Sequence, residues 1–414
     1  MRLKNLLSEF FNRTIKKRAK IVLPNKYLGW LGINPNDLAL RLKRFGVEVC
    51  PLNAETGLYA IDEVKSCPKV LNDALYYAVA VENEVTSFDL NSDFPTCVNK
   101  WQLYLVQMLR AIEKEFHRSR PDLVVLIQGY EPVNSALRAA AINLEIPLLS
   151  IENTAMSNRM LWDDISGITT NRNLAKNYYW KYKGLVSEES VHYFHKTLVK
   201  NFHHSKSSEH TAPSGNQAPI CDKPSVLFLG QVLTDSSIIF GLGRWQSPLD
   251  VIEATARWCL DKGYRLIVKL HPKESMGNNP ITNEPYNRLT YRKIQERGAL
   301  CNLLKENQAV VDFENGLDTY MLIDQCQIAV TVNSQSGLEA ALLGKPVVVS
   351  GNAFYDGLGF TIESSDPRIF SLVMEDAINY SVPRSASEFS YIFYEFYCRP
   401  KSVDGLSDLI LEHI

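Results

Sequence analysis

The stretch "TVNSQSGLEAALLGKPVVVSG", residues 331–351, decides the fold class. It opens on a short apolar run and breaks at Ser334, Gln335, Ser336 and Gly337. An alanine- and leucine-rich segment of helical character follows. Gly344, Lys345 and Pro346 then turn the chain into a second apolar run. Strand, helix, strand is the repeating unit of a parallel sheet with crossover helices. Glu339 stands three residues after Ser336, which is the spacing of a capping box with Ser336 as the cap. The same helix start offers free N–H groups and the positive end of the helix dipole, which favour an anion. Spacing alone does not separate a structural cap from an anion site.

The same rhythm runs outward in both directions. "AKIVLP", "VEVCPL", "LVVLIQG" and "IPLLSIE" read as strands in the first half, and "PSVLFLG", "YRLIVKLHP", "QAVVDF" and "QIAVTVNS" in the second. Amphipathic stretches such as "KWQLYLVQMLRAIEKEFHRS" and "SPLDVIEATARWCLDKG" alternate with them and read as helices. Between the halves lies "HHSKSSEHTAPSGNQAP", residues 203–219, polar and without an apolar period. It reads as an exposed linker. The expected organisation is a segment 1–20, an amino-terminal domain over 21–202, a linker over 203–220, a carboxy-terminal domain over 221–380 and helices over 381–414 that pack back. The aromatic residues Tyr391, Phe393, Tyr394, Phe396 and Tyr397 give that last part its anchors.

The length of 414 residues exceeds one ordinary core and fits two domains. A formal net charge of −2 gives no reason to expect a nucleic-acid partner. Eight cysteines, scattered without paired spacing, read as reduced and mostly buried in a cytoplasmic protein. Residues 1–20, "MRLKNLLSEFFNRTIKKRAK", place Leu3, Leu6, Leu7, Phe10 and Phe11 on one helical face beside seven cations. Such a helix either lies on an anionic membrane surface or packs on its own domain. No apolar run is long enough to span a bilayer.

Ligands of open parallel sheets sit outside the carboxyl ends of the strands. Four polar clusters lie at such positions. In "LFLGQVLTDSS", Gly230 ends a strand, and Gln231 and Asp235 follow; Asp235 either projects toward a ligand or caps the next helix. In "VKLHPKES", Pro272 stops a strand and fixes His271 and Lys273, a proton donor and a cation suited to phosphate. The third cluster is Ser334, Ser336, Gly337 and Glu339. The fourth is "SIENTAMSNRMLWDDISG", where Glu152 follows a strand and Asp163, Asp164 and Gly167 follow in a loop. Walker, GxSxG, HExxH and GxGxxG motifs are absent, as is the Asp-x-Asp that holds a metal–nucleoside diphosphate.

In this order the four clusters resemble the capsule polysaccharide synthesis family, and within it the retaining β-Kdo transferases (Kdo is 3-deoxy-D-manno-oct-2-ulosonic acid). "GQVLTDSS" is similar to that group's Gln-Val…Asp-Ser/Ala-Ser segment and "KLHPKE" to its His-Pro segment. "TVNSQSGLEAALLGKPVVVSGNAFYDGLGFT" is similar to its carboxy-terminal signature. The Glu152 segment resembles the family's Glu-Gly…Asp-x-x-Gly segment, with Asn153 where glycine is common. The resemblance spans about residues 120–365.

It implies an α/β chain of two Rossmann-like domains facing a cleft, the GT-B glycosyltransferase architecture. The implied donor is a CMP-activated ulosonic acid. The acceptor is a surface polysaccharide, capsule or lipopolysaccharide O-antigen, or its lipid-linked primer. One donor phosphate needs no metal, so neither metal nor cofactor is expected. Asp235 would be the nucleophile, Glu152 the acid/base for the acceptor hydroxyl, and His271 the group that stabilises or protonates the leaving phosphate. Lys273, Ser334, Ser336 and Gly337 would hold the phosphate, with Gln231 in the same donor-binding set, and Glu339 the cytidine ribose. A cytoplasmic enzyme in peripheral contact with the inner membrane would fit that acceptor. The alternatives are a CMP-nonulosonic acid transferase of pseudaminic or sialic type, a UDP-sugar transferase or epimerase, and a non-catalytic capsule assembly or export factor.

Overall fold

The computed structural model describes residues 19–23, 28–51, 68–154, 156–165, 172–200, 202 and 221–414. The expected helix over 1–20 lies outside these residues, except that Ala19 and Lys20 open the first strand. The expected linker over 203–220 and Gly167 also lie outside them. Among the described residues, no helix is long and apolar enough to cross a membrane.

The chain divides into two compact units, each a Rossmann-like α/β layer structure. The first comprises Met1–Val79, Leu90–Asn171 and Cys398–Ile414; the second comprises Ala80–Asp89 and Arg172–Tyr397. The first unit holds β1 (Ala19–Leu23), β2 (Val47–Pro51), β3 (Leu123–Ile127), β4 (Leu148–Asn153) and β5 (Arg159–Asp163). Their order is β2–β1–β3–β4–β5, with a short strand Arg399–Pro400 beyond β5. β1 to β4 are parallel, whereas β5 and Arg399–Pro400 are antiparallel additions at one edge. All five residues of β3 are buried, which explains its unbroken apolar run. The helix Pro35–Arg44 shows how local chemistry fixes an element. Asn34 accepts from the Asn36 N–H at 2.9 Å, Pro35 occupies the first turn, and Arg41, Lys43 and Arg44 sit in the last.

The second unit holds β6 (Ser225–Leu229), β7 (Arg265–Lys269), β8 (Val310–Asp312), β9 (Ile328–Thr331), β10 (Val347–Val349) and β11 (Ile362–Glu363). The order is β8–β7–β6–β9–β10–β11, parallel throughout. This is the doubly wound order. The chain builds outward from β6 on one side, then restarts at β9 on the other. Helices cannot cover the gap between the carboxyl ends of β6 and β9, so a crevice is left there. Register places Leu229 of β6 beside Lys269 of β7 and Thr331 of β9. The loops that follow therefore leave the sheet at one level.

Two expected boundaries move. The helices Arg172–Tyr182 and Glu188–Lys200 belong to the second unit, not to an amino-terminal domain ending at 202. Their aromatic faces pack on the carboxy-terminal aromatic segment: Tyr179 on Phe389, Tyr182 on Phe396 and Phe194 on Tyr391, with centroids 5.6, 4.7 and 5.5 Å apart. The tail from 381 also divides. Ser385–Ile392 and Phe393–Tyr397 stay in the second unit, with Phe393, Tyr394 and Tyr397 buried as anchors. Cys398–Ile414 joins the first unit, because Arg399 pairs with Met160 of β5 and Arg41 binds Asp404 at 2.8 Å.

Candidate functional site

The crevice between β6 and β9 is lined by one hydrogen-bonded polar set. Gln231 follows β6 and spans the gap. Its Oε1 accepts from the Asn333 N–H at 3.2 Å, and its Nε2 donates to Ser237 Oγ at 2.9 Å. Ser237 donates from both N–H and Oγ to Asp235 Oδ1, at 2.8 and 2.7 Å. Asn333 Nδ2 donates to the Ser237 carbonyl at 2.7 Å, and its Oδ1 lies 3.2 Å from Ser237 Oγ. One step deeper, Thr331 Oγ1 donates to the Leu229 carbonyl and accepts from the Ser334 N–H. These bonds tie the loop after β6 to the loop after β9. Polar groups bonded to one another in this way are fixed before any ligand arrives.

Asp235 is exposed and caps the helix Ser236–Ile239. Both bonds its carboxylate accepts fall on Oδ1, so capping and an exposed carboxylate coexist in one residue.

The helix that opened the sequence reading is Gln335–Leu342, and its cap is Ser334 rather than Ser336. Ser334 Oγ accepts from the Ser336 N–H at 3.2 Å, and its carbonyl accepts from the Gly337 N–H at 3.0 Å. As an acceptor there, the Ser334 hydroxyl keeps its own proton to donate. The capping box with Glu339 does not form, because Glu339 lies past the first turn. Glu339 is buried beside Tyr320, whose hydroxyl donates to the Phe202 carbonyl at 3.3 Å. Burial and the neighbouring Glu339 push the Tyr320 hydroxyl far above its ordinary range.

Gly337 is required by close approach. A Cβ there would sit 2.2 Å from Tyr355 Oη and 2.9 Å from Thr331 Cγ2. Tyr355 is wholly buried and donates to the Ser334 carbonyl from beneath.

β7 ends at Lys269, and the chain then presents His271, Pro272 and Lys273. The Lys273 N–H donates to His271 Nδ1 at 3.1 Å, which places the proton of the neutral ring on Nε2. Lys269 itself is buried, paired with Asp312 at 2.6 Å and bonded to Asn315, and so serves the sheet rather than a ligand.

Glu274, one residue after Lys273, is 2% exposed. It accepts from the Leu233 N–H at 3.4 Å, from the Thr290 N–H at 2.9 Å and from Thr290 Oγ1. Burial pushes its carboxyl up to about 7, against the opposing pull of those donors and of Arg292. The Tyr286 hydroxyl is also pushed up, by burial first and then by Asp235 and Glu274.

Asn333, Ser237, Glu274 and Tyr286 are therefore site residues that the sequence reading did not single out for a role. "VNS" and "HPKE" showed Asn333 and Glu274 at strand ends. Only the strand order shows that β6 and β9 are neighbours.

Glu152 belongs to the first unit. It lies within β4, opposite Leu161 of β5, rather than following the strand. The extra length comes from antiparallel pairing with β5. The same pairing puts Asp163 in a strand, 1% exposed, instead of in a loop. Gln128 Nε2 lies 3.5 Å from Glu152 Oε1. Among the described residues the cysteines are free, and burial pushes Cys259 and Cys326 up to about 12, which keeps them protonated and inert.

No curated protein sequence matches the chain. Solved structures are similar to the chain at low identity. The β-Kdo 2,7-transferase of Thermosulfurimonas dismutans KpsC is 14% identical, over 73% of this chain and 89% of that one, with a TM-score of 0.45. The β-Kdo 2,4-transferase of the same protein is 18% identical, over 70% and 87%, with a TM-score of 0.47. UDP-GlcNAc 2-epimerase from Neisseria meningitidis is 11% identical, over 95% and 98%, with a TM-score of 0.32. The family described as "Capsule polysaccharide biosynthesis protein" matches residues 167–397. That match takes in more than half of the chain and the whole polar set between β6 and β9, and the chain belongs to this capsule polysaccharide biosynthesis family.

Proposed function

We propose that the protein is a retaining glycosyltransferase. It would move β-Kdo, or a related ulosonic acid, from its CMP-activated form to a surface polysaccharide or its lipid-linked primer. The observation that carries this reading is the preformed set Gln231, Asp235, Ser237, Asn333 and Ser334, inside the stretch that matches the capsule family.

In this reading the Ser334–Gly337 helix start and the Lys273 ammonium hold the donor phosphate. Glu339 serves the ribose. With Asp235 Oδ1 held by Ser237, Oδ2 is the attacking atom. It forms a bond to the anomeric carbon as the bond to the phosphate oxygen breaks, and CMP leaves. The His271 Nε2 proton stabilises the phosphate as charge develops on it. Glu152 then takes the proton of the acceptor hydroxyl, whose oxygen displaces Asp235. Two inversions return the original configuration.

Thermal shift with CMP and UDP in parallel tests the nucleotide. CMP should raise the melting temperature by a few degrees and UDP should not. An equal or larger shift with UDP would favour a UDP-sugar enzyme. No shift with either would favour a non-catalytic assembly factor.

A further inference from the structure

Glu274 is a buried carboxylate that the proposed chemistry does not use. It lies one residue beyond Lys273, in the turn that carries His271. Its backbone N–H donates to the His271 carbonyl at 3.0 Å, and its carbonyl accepts from the Arg288 N–H at 2.9 Å. Its side chain reaches two other segments. One is the loop after β6, through the Leu233 N–H; the other is the start of the helix Leu289–Glu296, through Thr290. Leu233 lies between Gln231 and Asp235. The Tyr286 hydroxyl has Asp235 and Glu274 as its charged neighbours. Beyond the Gly230 N–H on the Lys269 carbonyl at 2.8 Å, Glu274 therefore ties the His271–Lys273 turn to the Gln231–Asp235 loop. A leucine in its place would leave the Leu233 and Thr290 N–H groups and the Thr290 hydroxyl without their acceptor, so the carboxylate joins donors from two separate segments.

We propose that Glu274 is a positioning residue that fixes the spacing between the phosphate-holding turn at His271–Lys273 and the loop that carries Asp235. The proposal rests on the nucleotide-binding reading above for its functional consequence, though not for the tie itself. Glu274 touches neither donor nor acceptor. It acts by holding two segments whose relative displacement by about 1 Å would cost roughly a hundredfold in rate.

The test compares full-length wild type with Glu274→Ala, Glu274→Gln and Thr290→Val. Hydrogen exchange without nucleotide reads the tie. Peptides spanning residues 230–237 and 271–276 should exchange faster in Glu274→Ala than in wild type, while peptides from β3 and β4 should not. Isothermal titration with CMP reads its use. Glu274→Ala should bind CMP about tenfold more weakly, and Glu274→Gln, which keeps one acceptor oxygen, should recover part of that loss. Thr290→Val, which removes only the hydroxyl donor, should lose the least.

Unchanged exchange in both peptides of Glu274→Ala overturns the tie. Faster exchange with CMP affinity within about twofold of wild type overturns the positioning role and leaves a purely structural glutamate. If Glu274→Ala does not fold, Glu274→Gln and Thr290→Val carry the same two comparisons. If wild type itself does not bind CMP, the nucleotide reading fails, and the exchange data still decide the tie.

Discussion

The carboxyl end of the second sheet and that of the first solve different problems. Between β6 and β9, the side chains of Gln231, Asp235, Ser237 and Asn333 bond one another across two loops, on ordinary backbone apart from the close approach at Gly337. At the end of β3, the backbone itself is unusual. Gln128 has φ of 69° and Gly129 of 122°, two left-handed residues in succession. That conformation is cheap for glycine and costly for glutamine. It is held by the Ser135 hydroxyl on the Gly129 carbonyl at 2.8 Å and the Ser150 hydroxyl on the Gln128 carbonyl at 3.2 Å. The second unit is held there by side-chain networks across two loops. The first invests in a bent backbone, which aims Gln128 toward Glu152.

The largest effect should come from Asp235→Ala. It should lower transfer by at least about a thousandfold and leave CMP affinity within a few-fold, as read by product mass spectrometry and calorimetry. Transfer at wild-type rate would remove Asp235 as nucleophile.

Next is a packing test of the same end. Gly337→Ala should lose about 1–3 kcal/mol of stability in denaturant unfolding, because the new methyl meets Tyr355 Oη. Gly337→Ala with Tyr355→Phe should regain part of the loss, since the clashing oxygen is gone. No loss in the single variant would mean that the helix start shifts freely, and the seat would then not be preorganised.

A third prediction concerns pH. The folded-state carboxyl of Glu274 is raised from 4.5 to about 7, so its favourable contribution is complete below the unfolded value and disappears as pH rises through 7. Relative to Glu274→Gln, the wild type should therefore lose about 3 kcal/mol between pH 4 and 8. A difference independent of pH would place the carboxyl in a wetter environment than the structure gives it. The smallest effect belongs to the first sheet. Gln128→Gly should be neutral or should stabilise by up to about 1 kcal/mol through relief of the positive φ.

Much of the second unit was legible in the sequence because its signals are local. "TVNSQSGLEAALLGKPVVVSG" carries the strand, the helix and the second strand, and buried parallel strands read as unbroken apolar runs. The cap was misplaced by two residues, since Ser334 and Ser336 are chemically equal candidates and only backbone angles choose between them. Glu339 was read as a ribose acceptor from its place near the helix start; its burial beside Tyr320, nineteen positions earlier on another helix, is a long-range feature the sequence does not show. β5 was read as a loop because pairing with β4 and with Arg399–Pro400, more than two hundred residues away, makes it a strand. The boundary at 203–220 was read from polarity, which reports exposure; the aromatic contacts that assign Arg172–Lys200 to the second unit are long-range.

The central claim is that the β6/β9 end of the second sheet serves a CMP-activated sugar. Its most direct measurement is a donor screen. The protein is incubated with CMP-Kdo, a CMP-nonulosonic acid and a UDP-hexosamine, each with polysaccharide acceptors, and product and released nucleotide are read by mass spectrometry. The account predicts CMP release and an acceptor mass increase of one ulosonic acid residue. Consumption of the UDP-sugar alone, with both CMP-sugars untouched, would contradict it.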